Sequence, residues 1–403
     1  MVNLLELSSL AEKCDCGNKH FDFAIDKIVI GKDALEDAVS YLVNSKLQKV
    51  VLVMDEHTYE AAGRKLSFLL NETEIDYIEC LIKPDFNGDV IANEISLIQA
   101  MIEIPNDTDI VLAVGAGTIH DIARFCSYKM EKSFISIPTA PSVDGFNSMG
   151  APIVVRGFKT TFQTQAPIAL FADISILKEA PKDMIAAGFG DMLGKYTSLL
   201  DWRFSHLAAG EPYCLSAAQI TRKALDACVE NVDKIAEGEE EGILILMEAL
   251  VLSGLAMLLL GHSYPASGGE HHVSHYWEMD FLQKQKPQVL HGAKVSVSTQ
   301  LITELYKNSF IKRLNLLENS SLIDNERMIN DHKDELFQLI QDLPDAKEIS
   351  LLIQKVGGIS TPSELGIDKH LEEKSLGEAH NLRDRFTILK FLNETHKIDK
   401  VKN

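Results

Sequence analysis

Short apolar runs alternate with amphipathic stretches through the first 180 residues of the chain. The runs rich in β-branched residues predict five strands: KIVIG (27–31), KVVLVM (49–54), YIECLI, DIVLAV (109–114) and SFISIP (133–138). Between them, apolar residues recur at helical spacing in segments such as DALEDAVSYLVNS (33–45) and ANEISLIQAMIEI (92–104). Strands and helices that alternate in this way predict a Rossmann-like parallel sheet with helices on both faces.

The strand pattern fades after about residue 180, and helical patterns take its place. Just before this change, PIVV (152–155) and IALF (168–171) flank RGFKTTFQTQ and predict a hairpin or a sheet edge. Beyond it, helices are predicted for 217–236, 243–260, SVSTQLITELYKN (296–308) and several acidic segments. We therefore expect an α/β domain over 1–180 and an all-helical domain over 181–403, with the functional site in the cleft between them.

One segment, GILILMEALVLSGLAMLLLG (242–261), is long and apolar enough to cross a bilayer. Glu248 lies near its middle, and the small residues Ser253 and Gly254 follow. The sequence contains no second run of this kind. We therefore expect a helix that is buried on all sides within the helical domain, and no membrane span.

The composition excludes two classes of partner. The 403 residues are 46% hydrophobic and carry a formal net charge of −20. Nucleic acids and anionic membranes are bound by clustered Lys and Arg, so we expect neither as a partner. The start MVNLLELSSLAEKCDC has glutamates where an export signal has basic residues, and the six scattered cysteines are typical of reduced thiols. These features predict a cytoplasmic protein.

Two of the six cysteines lie close to a histidine in CDCGNKH (14–20). The thiols of Cys14 and Cys16 and the imidazole of His20 could bind a structural metal, but a closed tetrahedral site needs a fourth ligand. The alternative is an N-terminal segment that binds no metal. The spacing alone leaves both interpretations open.

The strand DIVLAV runs directly into GAGTIHD (115–121), which opens a helix. Glycines allow a tight turn there and let an anion approach the N–H groups at the helix N-terminus. A Rossmann fingerprint places its ribose-binding acid about 20 residues after the glycines. The best acid in this chain, Asp55 at the end of KVVLVMD, precedes them instead. A dinucleotide bound at this turn would therefore not follow the usual Rossmann order.

The next strand ends in the polar loop PTAPSVDGFNS (138–148). Loops at the C-terminal ends of parallel strands are where α/β sheets place their ligands. Asp144 and Gly145 within this loop are equally consistent with an ordinary turn. The loop is therefore a second potential ligand contact, with a structural role as the alternative.

Three motifs in the second half carry residues that bind metals. GFGDMLGK places Asp191 after a glycine-flanked turn, near a predicted helix start, and LHGAKV places His291 at the start of another helix. In GEHHVSH, helical geometry puts His271 and His275 on one face and turns His272 about 100° away, which predicts a structural role for His272. One Asp and two His suit a divalent ion with an open coordination position.

GAGTIHD, PTAPSVDG, GFGDMLGK, SGGEHHVSH and LHGAKV, in this order, resemble the motifs of the glycerol-1-phosphate dehydrogenase family, and most of all its bacterial, Bacillus-type members. That family belongs to the superfamily of iron-containing alcohol dehydrogenases and dehydroquinate synthase-like proteins. The resemblance extends from about Lys27 to RDRFT (383–387). It implies an α/β domain that binds NAD(H) or NADP(H), an all-helical domain that holds one divalent metal ion per subunit (zinc or nickel), and a homodimer.

The resemblance also implies the reaction, a reversible reduction of dihydroxyacetone phosphate to sn-glycerol 1-phosphate in glycerophospholipid metabolism. The substrate would be a small phosphorylated triose or glycerol. The alternatives are a polyol or glycerol dehydrogenase, a dehydroquinate synthase-type lyase of the same fold, and a metal-binding relative that has lost catalysis.

Site residues follow from the motifs that match the family. The metal ligands would be Asp191, His271 and His291, and the catalytic residues Asp191 and His275. Substrate contacts would come from Asp144, Asp191 and His275. Lys159 is the best phosphate ligand by similarity to a lysine of dehydroquinate synthases, ahead of Lys195, Lys294, Arg383 and Arg385. The cofactor contacts would be Asp55, Gly115, Gly117, Thr118, Ile119, His120, Asp121, Thr139, Ala140, Pro141, Ser142 and Ser148.

Overall fold

A six-stranded parallel sheet forms the N-terminal half of the protein. The structure, a computed structural model, describes residues 4–21, 24–317 and 324–401. The strand order is β1-β8-β5-β4-β2-β3, and every neighbouring pair runs parallel. The sheet strands are β1 (Lys27–Gly31), β2 (Lys49–Met54), β3 (Asp76–Leu81), β4 (Ile110–Gly115), β5 (Ser133–Pro138) and β8 (Ala169–Asp173). The predicted parallel sheet is thus confirmed.

The hairpin that follows β5 uses a different second strand from the one predicted. PIVV lies in β6 (Gly150–Val155), which pairs antiparallel with β7 (Phe158–Gln163). Arg156 and Gly157 both have positive φ, 52° and 79°, and so form the tight two-residue turn that closes this hairpin. IALF instead enters the main sheet as β8, where all five residues of the strand are buried. A run buried on both faces belongs in the interior of a parallel sheet, so its assignment to a hairpin or edge was wrong.

Helices cover the sheet and form most of the second half, as predicted. Those of the first half are α1 (Leu4–Glu12), α2 (Ala34–Asn44), α3 (Glu56–Thr58), α4 (Arg64–Asn71), α5 (Glu94–Glu103), α6 (Gly117–Lys129) and α7 (Ile174–Leu177). Those that follow are α8 (Lys182–Leu193), α9 (Lys195–Ala209), α10 (Leu215–Glu230), α11 (Val232–Glu237), α12 (Glu240–Leu260), α13 (Gly269–Gln283), α14 (His291–Leu305), α15 (Ile311–Leu316), α16 (Asp324–Asp331), α17 (Lys333–Gln341), α18 (Ala346–Lys355), α19 (Lys369–Glu378) and α20 (Ile388–Val401). The predicted helix over 217–236 is two helices, α10 and α11.

The long apolar segment is a core helix. In the described part of the chain, α12 is the one helix with the length and hydropathy to cross a membrane, and 72% of its most apolar window is buried inside the protein. The exposed fraction of Leu246, Leu250 and Leu255 is 1% or less. Since its apolar surface is already covered by neighbouring helices, the prediction of a buried helix is confirmed.

Asp191 lies in the last turn of α8, and the prediction that it begins a helix was wrong. The glycines around it serve close packing rather than a turn. A Cβ on Gly188 would lie 1.8 Å from the carbonyl oxygen of Pro141, and one on Gly190 would lie 2.5 Å from that of Gly292. Helix α8 can therefore press directly against the loop after β5 and against α14.

The N-terminal segment packs against the helical half although it precedes β1. The Phe21 N–H donates to the carbonyl oxygen of Leu259 at the end of α12, at 3.0 Å. Cys14 and Cys16 pack against an apolar cluster that contains Trp202 and Leu259. A domain boundary at residue 180 stays a prediction, and this segment crosses it.

Substitution of Gly188 tests the close contact between α8 and the loop after β5. Gly188→Ala should lower the free energy of unfolding by about 3 kcal/mol, because its Cβ meets backbone that cannot move aside. The control is Gly377→Ala in α19, where a Cβ meets nothing within 4 Å, and it should raise stability by about 0.5–1 kcal/mol. Chemical denaturation measures both, and equal effects would contradict the packing account.

Candidate active site

A cavity of about 400 Å³ lies between the loops at the C-terminal edge of the sheet and the helices of the second half. The start of α6 and the loop after β5 line it on one side, and α13 with the start of α14 on the other. Its lining includes half of the candidate site residues named from the sequence: Gly117, Thr118, Asp121, Ser142, Asp144, Ser148, Lys159, His271, His275, His291 and Arg383. The site thus lies in the expected cleft.

The structure brings Asp191, His271 and His291 together. Each offers one ligand atom, and the three atoms lie within 4.8 Å of one another. Nε2 of His271 is 3.7 Å from Oδ1 of Asp191, and the rings of His271 and His291 have centroids 5.2 Å apart. Three elements, α8, α13 and α14, therefore converge on one point at the wall of the cavity.

Glu270 orients the ring of His271. Its Oε1 is 2.7 Å from Nδ1 of His271, and its two oxygens also accept from the Thr197 hydroxyl and the Gly268 N–H, each at 2.6 Å. Burial alone would raise the pKa of Glu270, but these hydrogen bonds hold it below its usual value. A charged Glu270 accepts a hydrogen bond from the Nδ1–H group of His271, which orients the ring so that Nε2 faces Asp191 and His291.

Lys195 fixes the two carboxylates of the site. Its ammonium group donates to Oδ1 of Asp191 at 3.0 Å, to Oδ2 of Asp144 at 2.7 Å and to the carbonyl oxygen of Ala266 at 3.1 Å. An ammonium group has three donors, so all three are used and none remains for a substrate phosphate. Lys195, one of the phosphate ligands considered from the sequence, is thus a structural cation of the site.

The pKa values of the two carboxyl groups shift in opposite directions. Burial would raise the pKa of Asp191, but the positive charge of Lys195 holds it well below its usual value. Burial and the negative charge of Asp191 raise the pKa of Asp144. Asp191 is therefore the one that stays ionised most readily, as a metal ligand must.

The donor set fits a divalent metal ion. Burial lowers the pKa of His291 to about 3, so its imidazole is neutral and able to bind a metal. One carboxylate oxygen and two imidazole nitrogens are the ligand types of a three-ligand catalytic site. Because His271 and His291 also line the cavity, the fourth coordination position would face the space available to a substrate.

A cluster of cations surrounds Glu278, one helical turn beyond the histidines. Lys159 Nζ lies 2.9 Å from both carboxylate oxygens of Glu278, and Lys294 lies 3.5 Å from one of them. His275 connects this carboxylate to Arg383: its Nδ1 is 3.2 Å from Glu278, and its Nε2 accepts from Arg383 at 3.2 Å. Two cations, Lys159 and Lys294, thus contact one carboxylate, and a third, Arg383, lies on the other side of His275.

His275 is neutral in this arrangement. Burial lowers its pKa well below the usual value, and the positive charges of Arg383 and Lys159 act in the same direction, against the hydrogen bond to Glu278. The remaining basic residue considered for phosphate, Arg385, donates to the carbonyl oxygen of Ser267 and pairs with Glu211 at 3.5 Å. It does not line the cavity.

The predicted cofactor residues divide into two groups. Gly117, Thr118 and Asp121 line the cavity, and the N-terminus of α6 has no side-chain cap, so its first N–H groups are open to an anion. The side chains of Ile119 and His120 instead point into the core. The His120 ring, for example, lies 3.0 Å from the Ala116 carbonyl oxygen and 2.7 Å from the Ser136 hydroxyl. Of the other predicted contacts, Ser142 and Ser148 line the cavity and Gly115, Thr139, Ala140 and Pro141 do not.

Asp55 caps the helix that follows β2. Its Oδ1 accepts from the Thr58 N–H at 2.8 Å, and its own N–H donates to the Thr58 hydroxyl at 2.9 Å. It does not line the cavity. Strand β2 lies next to β4, so Asp55 is nevertheless on the same sheet edge as the glycine turn.

Arg124 was missed from the sequence although it holds the loop after β5. Its fully buried guanidinium donates to Asp121 and Gly150, each at 3.0 Å, to Gly145 at 2.5 Å and to Phe146 at 3.1 Å. Its one signal in the sequence is an arginine on the apolar face of an amphipathic helix. Glu270 and Glu278 were missed too, because a glutamate on a helix is usually a solvated surface residue.

His272 lies outside the metal cluster, as helical geometry predicted. It is fully buried, and neither ring nitrogen has a hydrogen-bond partner among the described residues. Burial lowers its pKa well below the usual value, so the ring is neutral and packs as part of the core.

Sequence comparison decides the family. A glycerol-1-phosphate dehydrogenase [NAD(P)+] from Geobacillus stearothermophilus is 52% identical over 395 residues, which cover 97% of this chain and 98% of the relative. The enzyme of the same name from Geobacillus thermodenitrificans is 52% identical over 96% of both chains. The chain belongs to the glycerol-1-phosphate dehydrogenase family. The family model for iron-containing alcohol dehydrogenase also matches, over residues 29–181.

Comparison with solved structures shows which fold the chain has. A probable glycerol dehydrogenase from Sinorhizobium meliloti superposes with a TM-score of 0.64 at 17% identity, over 89% of this chain and 90% of that one. At this identity the likeness shows the fold alone. The chain has the architecture of the iron-containing alcohol dehydrogenases and dehydroquinate synthase-like proteins, an α/β half followed by a helical half.

Proposed function

We propose that the chain reduces dihydroxyacetone phosphate to sn-glycerol 1-phosphate, reversibly, with NADH or NADPH and one divalent metal ion per subunit. The chain is an oxidoreductase of the glycerol-1-phosphate dehydrogenase family. One observation carries the choice of substrate: the Asp191–His271–His291 cluster and the cation cluster around Glu278 open into the same cavity. A ketone at the first and a phosphate at the second would match a phosphorylated triose.

Asp191, His271 and His291 would hold the metal ion, which we propose to be zinc or nickel. When bound, the ion would polarise the substrate's ketone oxygen, and the nicotinamide would supply the hydride. The protein's contribution is to keep Asp191 ionised, through Lys195, and to hold Nδ1 of His271, through Glu270, so that Nε2 faces the other two ligands. Asp191 can in addition accept a hydrogen bond from a substrate hydroxyl.

Lys159 and Arg383 would bind the phosphate. Both line the cavity, where Lys159 donates to Glu278 and Arg383 donates to His275 and the Ser267 hydroxyl. A phosphate is a stronger partner than a neutral imidazole for a guanidinium group, because charge-assisted bonds are about twice as strong as neutral ones. Phosphate binding would therefore draw Arg383 away from Nε2 of His275.

His275 would then orient a substrate hydroxyl or relay a proton. Its freed Nε2 could accept from the substrate, while Nδ1 keeps its bond to Glu278. Asp144, which lines the cavity and is held by Lys195 and the Ser253 hydroxyl, is the second substrate contact we propose.

The cofactor would bind along the sheet edge. The uncapped N-terminus of α6 suits the pyrophosphate, and the loop after β5, held by Arg124, would contact the nicotinamide half. We propose that Asp55 contacts the adenosine ribose, since its carboxylate lies on the edge that β2 and β4 share.

Two enzymatic alternatives differ in net chemistry. A dehydroquinate synthase-type lyase regenerates its NAD within each turnover, whereas a dehydrogenase consumes the reduced cofactor stoichiometrically. A polyol dehydrogenase would accept dihydroxyacetone as readily as its phosphate. The test is an assay of NADH and NADPH oxidation with both ketones, after loading with Zn²⁺ or Ni²⁺, and with chiral analysis of the product. Turnover without net cofactor oxidation, or without preference for the phosphate, would overturn the proposal.

We also propose a homodimer that acts in the cytoplasm. Ile95, Ile98 and Ile102 lie exposed along one face of α5, a surface of the kind that association covers. All six cysteines are free, as expected of thiols in a reducing compartment. Sedimentation analysis of the purified protein determines directly whether it is a dimer.

Removal of a metal-binding histidine should abolish activity and leave the fold intact. His271→Ala and His291→Ala should each lose one metal equivalent per chain and all measurable turnover, because two ligands cannot hold the ion in place. The control is His370→Ala on the exposed side of α19. Metal analysis, circular dichroism and the cofactor assay provide the readouts, and an active variant with full metal content would refute the assignment.

Replacement of Lys159 should weaken binding of the phosphate selectively. Lys159→Ala should raise the KM for dihydroxyacetone phosphate about 10–100-fold, the effect of losing one charge-assisted hydrogen bond. Activity toward unphosphorylated dihydroxyacetone should change little. The exposed Lys178 supplies the control, Lys178→Ala. Equal losses on both substrates would mean that Lys159 supports the site only through Glu278.

Two substitutions at Asp55 separate capping from cofactor binding. Asp55→Ala should raise the cofactor KM and lower the stability by about 1 kcal/mol, since it removes both the charge and the helix cap. Asp55→Asn can still cap the helix, so it should raise the cofactor KM while stability is kept. If the cofactor KM stays at the wild-type value in both variants, Asp55 has a structural role alone.

A further inference from the structure

A second cluster of metal-binding side chains lies outside the proposed active site. It joins Cys14, Cys16 and His20 of the N-terminal segment to Cys214, which lies 194 residues beyond His20 in the chain. The four ligand atoms lie within 4.8 Å of one another. The fourth ligand that CDCGNKH lacks is therefore supplied by the residue that caps α10.

Three of the six distances between the ligand atoms are within about 0.2 Å of the edges of a tetrahedral metal site. With zinc–sulfur bonds of about 2.3 Å and zinc–nitrogen bonds of about 2.0 Å, ligand atoms lie about 3.5–3.8 Å apart. Sγ of Cys14 is 3.6 Å from Sγ of Cys214. Nε2 of His20 lies 3.3 Å from Sγ of Cys16 and 3.9 Å from Sγ of Cys214. A disulfide would instead need sulfurs about 2.05 Å apart, and all six cysteines are free.

A hydrogen-bond donor lies beside each of the three sulfurs. The side-chain amide of Asn18 donates to Sγ of Cys16 at 3.3 Å, and the Ala217 N–H donates to Sγ of Cys214 at 3.4 Å. The Ser216 hydroxyl donates to Sγ of Cys14 at 3.7 Å. Each sulfur thus has a hydrogen-bond donor of its own, the outer-shell arrangement that orients and stabilises metal-bound cysteines.

The segment that carries three of the ligands is already positioned by other contacts. The amide of Asn18 also donates to the Tyr213 carbonyl oxygen at 2.8 Å, directly before Cys214. The Phe21 N–H is bonded to the end of α12, as described above. Little rearrangement of the segment is therefore needed for the four ligands to converge on an ion.

We propose that Cys14, Cys16, His20 and Cys214 bind one zinc ion in a closed, structural Cys₃His site. Four protein ligands leave no position for water or substrate, so the ion has a structural role and takes no part in hydride transfer. It fastens the N-terminal segment to the start of α10 and closes a loop of 200 residues between Cys14 and Cys214. Binding releases the protons of the thiols to solvent.

The test separates this ion from the one in the active site. In the His271→Ala variant, which we expect to lose the active-site ion, zinc loading and gel filtration should leave one zinc per chain. Loading with Co²⁺ should give an intense thiolate-to-cobalt charge-transfer band. Adding Cys214→Ser, whose hydroxyl can still cap α10, should remove the retained zinc and the band and lower Tm by about 5 °C or more.

Cys16→Ser should have the same effects on zinc and cobalt, and Cys126→Ser, a buried cysteine elsewhere, should leave both unchanged. The proposal is overturned if folded His271→Ala protein retains no zinc. It is also overturned if the Cys214→Ser variant keeps the zinc or the cobalt band, or if thiol titration finds Cys14 and Cys214 joined in a disulfide in zinc-treated protein. Because neither readout depends on turnover, failure of the proposed activity would leave this result unaffected.

Discussion

The buried ammonium group of Lys195 is the interaction on which the site depends. It bonds to Asp144 in the loop after β5, to Asp191 in α8 and to the carbonyl oxygen of Ala266 shortly before α13. One cation therefore holds together the loop after β5, the carboxylate of Asp191 and the segment that leads into α13. Without it, two buried carboxylates would face each other uncompensated, a situation that destabilises a protein by several kcal/mol (roughly 3–5).

Close backbone packing allows these elements to reach one another. Gly188, Gly190 and Gly292 lie where a side chain would collide with backbone atoms of the facing element. The contacts bring the C-terminal turn of α8 against the start of α14, so Asp191 and His291 meet although one ends its helix and the other begins one. Fixed backbones give the ligand atoms fixed positions, which a metal site requires.

Local patterns in the sequence predicted the sheet, the core helix α12 and the separation of His272 from His271 and His275, because periodicity and helix geometry are properties of neighbouring residues. The hairpin β6–β7 could not be predicted in full, because it forms around a turn with two positive φ values and its second strand, FKTTFQ, lacks an apolar run. Partners distant in sequence left no such signal: Lys195 gives no sign that it pairs with Asp144, nor Cys214 that it joins Cys14. The family's motifs supplied the site residues that periodicity could not.

Anomalous diffraction at the zinc absorption edge, from crystals of the zinc-loaded protein, tests the central claim most directly. The account predicts a peak about 2.0–2.2 Å from one oxygen of Asp191 and one nitrogen each of His271 and His291, with its open side toward the cavity. The absence of a peak among these three residues in fully loaded, active protein would contradict it.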